Sequence, residues 1–257
     1  MNIIVYIKQT FDTEAKIVLD GNGKIDANGV NLIINPYDEF AIEEGIRLKE
    51  KLGGEVTVVS MGGARAQEAI RTALAMGVDK AVLVSDPALE SSDEWHNAEV
   101  LAKAVSQVPY DIIIAGRIAI DDGASQIAVR LAEILNVPSI SSVLKLDVTG
   151  TQVTATREID GGTEVIETSL PVVITAQKGL NDPRYPSVAG IMKAKKKPLK
   201  TVTLADLGMT AADIAPKMNI DKYSLPTARL AGKQIPGEPA QAAQELARLL
   251  REEAKIL

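Results

Sequence analysis

The sequence contains no cysteine. That excludes disulfides, thiolate metal sites, iron–sulfur ligation and a cysteine nucleophile. It is compatible with a reducing cytoplasm, the expected location. There is one histidine, His96, in a polar segment after Trp95. No histidine triad and no multi-histidine metal centre can be built from it, so no metal site is expected, and the expected place of His96 is the surface. Aromatic residues are only 3% of the chain, which leaves Val, Ile, Leu and Ala to fill the core. No apolar run approaches bilayer-spanning length, so membrane insertion is not expected. The opening strand-like run at 2–7 is too short, and too uncharged at its start, for a secretory signal. The net charge of −6 argues against nucleic acid as a partner. There is no G-x-G-x-x-G fingerprint and no Walker loop. Nothing pairs a nucleophile with an adjacent base, so bond-making catalysis is not expected.

What is present is alternation. Short apolar runs rich in Val and Ile occur at 3–7, 56–60, 81–84 and 112–115, as in strands of a parallel sheet buried on both faces. Amphipathic stretches at 38–52, 64–76, 94–107 and 124–135 lie between or after them and read as helices, the first two stopped by Gly53-Gly54 and Gly77. Such alternation predicts an α/β fold with a mostly parallel, doubly wound sheet. Near Val143 the pattern changes. Runs at 143–147, 152–159 and 164–168 around Asp160-Gly161-Gly162 read as an antiparallel hairpin, with glycine supplying the turn's positive φ. Residues 170–176 are a further buried strand. Residues 213–239 read as an extended arm. A last helix at 240–256 carries Leu246, Leu249 and Leu250 on one face, a stripe that needs a surface to cover it, a second chain's or, as the alternative, its own domain's. The expected division is a nucleotide-binding α/β domain at 1–209 and an associating arm and helix at 210–257.

In a doubly wound sheet, ligands sit outside the carboxyl ends of the strands. Four segments should converge there. Tyr6 and Ile7 end the first strand. Asn35, Pro36, Tyr37 and Asp38 lead into the first helix. Met61, Gly62 and Gly63 follow the second strand. Gly116, Arg117, Ile118, Ala119, Ile120, Asp121, Asp122, Gly123, Ala124, Ser125, Gln126 and Ile127 join the fourth strand to its helix. A helix start there offers N–H donors to a phosphate, with the Ser125 hydroxyl and Gln126 amide beside them. Asp121 and Asp122 would repel phosphate and are expected to cap the helix, accept backbone bonds or meet ribose hydroxyls. Ordinary βα turns are the alternative. Glu43, Glu44 and Arg47 read as helix-face salt bridging.

Residues 180–197 are the most unusual stretch. Pro183 and Pro186 prevent an ordinary helix and predict a projecting loop that carries Tyr185 and Val188. Ile191 and Met192 follow, and then a basic run of Lys193, Lys195, Lys196 and Lys197. An apolar tip beside cations suits docking on a protein with an acidic surface. A solvated surface loop is the alternative.

This run resembles the recognition loop of electron transfer flavoprotein β subunits. The block Ala-Thr-Arg-Glu-Ile-Asp-Gly-Gly-Thr-Glu-Val-Ile at 155–166, with Leu-Pro-Val-Val-Ile-Thr at 170–175, is similar to that family's signature. Asn-Pro-Tyr-Asp at 35–38 with Ala-Ile-Glu-Glu at 41–44, Ile-Arg-Thr-Ala-Leu-Ala-Met-Gly at 70–77, and Gly-Arg-Ile-Ala-Ile-Asp-Asp at 116–122 also match, in the family's order. The resemblance spans about residues 2–207 and implies a fold like that of the adenine nucleotide alpha hydrolases. It implies an electron carrier that pairs with an α subunit holding FAD. The pair would accept electrons from acyl-CoA or related dehydrogenases and pass them to a quinone-linked oxidoreductase. The four converging segments would hold a structural AMP, and Tyr185, Val188, Ile191, Met192, Lys193 and Lys196 would dock the dehydrogenase. A subset of the family holds a second FAD instead of AMP and bifurcates electrons. Its final loop reads Ile-Asp-Gly-Asp-Thr-Ala-Gln-Val-Gly, where this chain has Ile-Asp-Asp-Gly-Ala-Ser-Gln-Ile-Ala at 120–128. Ala124 and Ala128 depart from that pattern, which favours AMP. Thr13 stands where some members have a tyrosine near the α-subunit flavin, and Val188 where leucine is common. A reading of another class, from the fold pattern alone, is a stand-alone adenine-nucleotide-binding module or enzyme.

Overall fold

Strands and helices alternate in the computed structural model, which describes residues 1–229 and 231–257. In chain order the elements are β1 (Asn2–Ile7), β2 (Gln9–Phe11), β3 (Leu32–Ile34), α1 (Pro36–Leu52), β4 (Glu55–Met61), α2 (Ala66–Met76), β5 (Lys80–Val84), α3 (Glu94–Val105), β6 (Ile112–Gly116) and α4 (Ile127–Leu135). Then follow β7 (Ser139–Thr149), β8 (Gln152–Ile159), β9 (Gly162–Ser169), β10 (Val172–Ala176), α5 (Val188–Ala194), β11 (Leu199–Val202) and α6 (Pro239–Glu252). By contact, the described residues form two units. One is Met1–Lys16 with Ala27–Asp221, and the other is Ile17–Asp26 with Lys222–Leu257.

The first unit is built on a nine-stranded sheet of order β11-β5-β4-β1-β6-β10-β7-β8-β9. Pairing is parallel from β11 to β7 and antiparallel through β7, β8 and β9. The period-2 geometry of a strand explains why the apolar runs are unbroken. Ile3, Val5 and Ile7 enter one core, with α1 and α2, while Ile4 enters the other, with α3 and α4. Ile112 and Ile114 oppose Ile113 in the same way, as do Val172 and Ile174 with Val173. Each of these three strands therefore supplies two cores at once. α1 lies directly on β1 because residue 45 is glycine. A Cβ there would stand 2.9 Å from Val5 Cγ2.

The chain winds outward from β1 through α1 to β4 and through α2 to β5. α3 then carries it back to β6 on the other side of β1. The winding reverses between β1 and β6, and the crevice outside the carboxyl ends of those two strands is the place such a sheet offers a ligand.

Several expectations change. The expected hairpin is a three-stranded antiparallel extension, with β7 starting at Ser139. β2 and β3 form a separate antiparallel pair, and β11 adds a parallel edge strand beside β5. α4 starts at Ile127 rather than Ala124, and neither Asp121 nor Asp122 caps it. Val188 opens the helix α5 rather than riding on a loop, because Ser187 accepts from the Gly190 N–H at 3.0 Å and caps it. His96 is buried, not superficial. Its Nδ1 lies 2.7 Å from Asp93, which also accepts from the His96 N–H and caps α3.

In the second unit, residues 17–26 close a turn through the bridge between Leu19 and Ile25. α6 is stabilised along its surface by Arg248 bonds to Glu245 and Glu252. None of its residues is buried, and Leu246 is exposed.

Candidate functional site

The crevice is assembled by two side chains at the start of α1. Asn35 is buried. Its Nδ2 donates to the Ile118 carbonyl at 2.9 Å and its Oδ1 accepts from the Ile120 N–H at 3.2 Å. Asp38, also buried, accepts from the Lys8 N–H at 2.7 Å, the Gly116 N–H at 3.0 Å and Asn35 Nδ2 at 3.0 Å. These bonds tie the ends of β1 and β6 to one helix start. Gly116 is required by this contact, because a Cβ there would stand 2.2 Å from Asp38 Oδ1 and 2.8 Å from the Tyr37 carbonyl carbon.

The loop after β6 is held by Lys8, which no sequence pattern brings forward. Its Nζ bridges Asp121 at 2.9 Å and Asp122 at 2.7 Å. Asp122 also accepts from the Ala124 N–H at 2.9 Å. The aspartates thus accept backbone and lysine bonds, one of the roles expected for them. Ser125 adopts a left-handed φ of 55° and donates its hydroxyl to the Arg117 carbonyl at 2.8 Å. Behind it α4 begins. Its first internal bond is from Arg130 to the Gln126 carbonyl, so the N–H groups of Ile127, Ala128 and Val129 have no acceptor within the helix.

These groups line a cleft of about 670 Å³, within the usual range for a small-molecule site. Of the expected residues, Tyr6, Asn35, Asp38, Met61, Gly62, Gly116, Arg117, Ile118, Ala119, Asp122, Ala124, Ser125, Gln126 and Ile127 line it. Pro36, Tyr37, Ile120, Asp121 and Gly123 do not, although Ile120, Asp121 and Gly123 bond Asn35, Lys8 and Ala119, which do. The cleft runs farther than expected at both ends. One end reaches Ser85, Asp86, Pro87 and Glu90 beyond β5, and the other reaches Ser141, Ser142 and Thr175. At the second end Ser142 has a φ of 58° and donates its N–H to Thr175 Oγ1 at 2.9 Å, beside a register shift between β7 and β10. The rule that carboxyl ends converge, applied to β5 and β10 as well, would have found Ser85 and Thr175, but not Ser141 and Ser142, which lie near the start of β7.

Burial and charge decide the protonation states. Burial, then the nearby aspartates, raise the Tyr6 hydroxyl well above the ordinary range, so it stays protonated. Burial pulls the Lys8 ammonium down, but its bonds to Asp122 and Asp121 prevail and it ends raised. Burial pushes the Asp38 carboxyl up to about 7, against the pull of its N–H donors. The folded chain therefore holds this proton across pH 3.8 to about 7, where the unfolded chain has lost it. Stability from this group is full below that interval and falls as pH rises through it. The expected result is that the unfolding free energy of the wild type, minus that of Asp38→Asn, declines between pH 4 and pH 7 in denaturant titrations. A constant difference would mean that the carboxyl is ionised throughout.

The segment expected to dock a partner lies against the same helix α1. Asn181 donates to the Phe40 carbonyl at 3.0 Å and to Glu44 at 2.9 Å. Arg184 bonds Glu43 through Nε at 2.8 Å and Glu50 through Nη1 at 2.7 Å, and Arg47 meets Glu43 at 2.8 Å. The helix-face pairing of Glu43 with Arg47 is therefore present, and the loop joins it. Outside this clamp, Tyr185 is 93% exposed and Val188 79%, with Ile191 and Met192 also exposed. Lys193 and Lys196 are exposed. Lys197 is turned inward. Its Nζ donates to the carbonyls of Leu74 at 2.9 Å and Val78 at 2.5 Å, at the C-terminal end of α2, where a cation is favoured.

Among the described residues no group of three His, Cys, Asp or Glu is placed to hold a metal. No helix among them is long and apolar enough to cross a membrane.

Comparison with known proteins bears on this geometry. A family model described as the electron transfer flavoprotein domain matches residues 22–207. The chain is 49% identical over 258 residues to the electron transfer flavoprotein subunit beta of Bacillus subtilis, covering 100% of both chains. It is 47% identical over 257 residues to the protein of the same name from Syntrophomonas wolfei, covering 100% of this chain and 98% of that one. It is 37% identical over 261 residues to that of Sus scrofa, covering 100% of this chain and 99% of the relative.

Proposed function

The chain belongs to the electron transfer flavoprotein family, among its beta subunits, and on that premise we propose that it is the subunit that holds a structural AMP and docks the electron donor. It pairs with an α subunit that carries most of the FAD site. The pair takes electrons from acyl-CoA or related dehydrogenases and delivers them to a quinone-linked oxidoreductase, in the cytoplasm. The flavin, when bound, supplies the redox chemistry. This chain orients, shields and docks, and makes no bonds of its own.

The observation that carries the AMP reading is the polarity of the cleft. The two cations on its wall are Lys8 and Arg117. Lys8 is neutralised by Asp121 and Asp122, whereas the Arg117 side chain has no partner among the described residues. A free guanidinium beside unpaired first-turn N–H groups suits one phosphate. The exposed docking face of Tyr185, Val188, Ile191 and Met192, flanked by Lys193 and Lys196, supports the docking role. The exposed Leu246 of α6 supports subunit association through residues 210–257.

A second reading has its own observation. The cleft continues to Ser141, Ser142 and Thr175, farther than one phosphate end requires, and a second FAD would use that length. Mass analysis of nucleotides released from the denatured two-chain complex separates the readings. One FAD and one AMP per pair is the expected result. Two FAD without AMP would move the chain to the bifurcating subset. A colourless single chain that turns over adenylates would overturn both in favour of a stand-alone nucleotide enzyme.

A further inference from the structure

We infer that Arg130 is a positioning residue for the proposed nucleotide, fixing the side-chain amide of Gln126 so that its NH2 group is presented to the phosphate. The inference rests on the AMP reading and adds a residue outside the cleft wall. Arg130 Nε and Nη2 lie 3.0 and 2.6 Å from Gln126 Oε1. Arginine offers only donors. The end of the amide that faces it must therefore be the carbonyl oxygen, and the NH2 is left as the other end. Gln126 lines the cleft at the start of α4, and its Nε2 has no partner among the described residues. With the opposite amide orientation an oxygen would meet the phosphate and repel it. Arg130 removes that choice.

Among the described residues, no carboxylate pairs with Arg130. Its guanidinium carbon is 5.0 Å from the centre of the Trp95 ring, and Lys217 Nζ is 4.3 Å from the same centre. The Lys217 N–H donates to Asp93 at 2.7 Å, at the residue that caps α3, which fixes that strand of chain beside the ring. The cation thus rests on an aromatic platform and keeps its full charge near the start of α4. A Gln–Arg pair four apart on a helix can also be plain surface decoration, so the test must detect action through Gln126.

Equilibrium binding of AMP by the full chain, for the wild type, Arg130→Met, Gln126→Met and the double variant, makes that distinction, with unfolding midpoints taken alongside. A hydrogen bond to a charged group justifies an expected loss of about tenfold for each single variant. The double variant is expected to bind no more weakly than Gln126→Met, because the two residues act as one. Arg130→Lys, which also offers only donors, is expected to recover most of the loss and covers the case in which Arg130→Met fails to fold. Losses that multiply in the double variant would overturn the inference, since Arg130 would then act independently. Unchanged binding by Arg130→Met would overturn it too. A wild-type chain that takes up no AMP would overturn the nucleotide reading itself, and this role with it, and that failure is read without any variant.

Discussion

Gly116→Ala is expected to remove the cleft and about 3 kcal/mol of stability together. The added methyl would fall 2.2 Å from Asp38 Oδ1 and 2.8 Å from the Tyr37 carbonyl carbon. Neither neighbour is the free end of a long side chain. Asp38 is anchored by three donors and Tyr37 Cα follows Pro36 in the first turn of α1. Relief requires the start of α1 or the end of β6 to move, and either movement breaks the bond from the Gly116 N–H to Asp38. For a chain of this size that loss lowers the unfolding midpoint by roughly 6–12 °C. Gly63→Ala is the matched control. Gly63 lines the same cleft, but a Cβ there meets no protein atom within 4 Å, so its midpoint is expected to stay near wild type. Thermal unfolding and nucleotide content, measured on both variants, check the claim. A Gly116→Ala protein with normal stability and normal nucleotide would show that the crevice tolerates displacement of Asp38.

Arg184→Ala is expected to detach the docking segment while leaving the cleft intact. Glu43 is almost wholly buried, and its carboxylate accepts from the Arg184 N–H, Nε and Nη2 and from Arg47. Burial raises the Glu43 carboxyl, but the two arginines outweigh it and hold it below its usual value. Removing one partner of a buried pair costs about 3–5 kcal/mol. Here Arg47 remains and Arg184 is 36% exposed on its side chain, so roughly 2 kcal/mol is the reasonable figure once solvent screening is counted. That is enough to free residues 181–187 locally without unfolding the sheet. Reduction by a dehydrogenase should slow by about tenfold, while reduction by dithionite and nucleotide content hold. Arg184→Lys should be intermediate, because an ammonium cannot span Glu43 and Glu50 as a fork does. Val188→Ala gives the comparison for contact alone, since it trims the exposed face and leaves the clamp. Equal slowing with both reductants would place the effect at the flavin instead of at docking.

The central strands were legible because burial on both faces makes their middles runs of Val, Ile and Ala, with only small polar residues such as Thr57 and Ser60 among them. β1, β4, β5 and β6 differ from the apolar runs by one residue at most at either end. Strands β2 and β3, at three residues each, are too short to show a period, and their pairing is a long-range matter. The start of α4 was misread for a physical reason. Asp121-Asp122-Gly123 has the chemistry of a helix cap, but Lys8, more than a hundred residues earlier, takes both carboxylates, and the helix begins later. A local signal lost to a distant charge. His96 was misplaced because its neighbours are polar. The carboxylate that buries it, Asp93, is three residues away and could have been read as a cap with a histidine partner. In the docking segment the prolines marked where a helix could not be, and Ser187 marked where one could start. The cleft was found through the carboxyl-end rule, but only at the strands to which the rule was applied.

The clamp around Trp95 has an optical consequence. The sequence holds a single tryptophan, and it lies in the first turn of α3, between the cap at Asp93 and the cation of Arg130 on α4. All indole emission from this chain therefore originates at the start of α3, whose Glu94 and Asn97 form one rim of the cleft. Changes in its wavelength or quenching would follow that rim alone, with no background from the sheet, the docking segment or α6. The chain carries a native, site-specific fluorophore that needs no label.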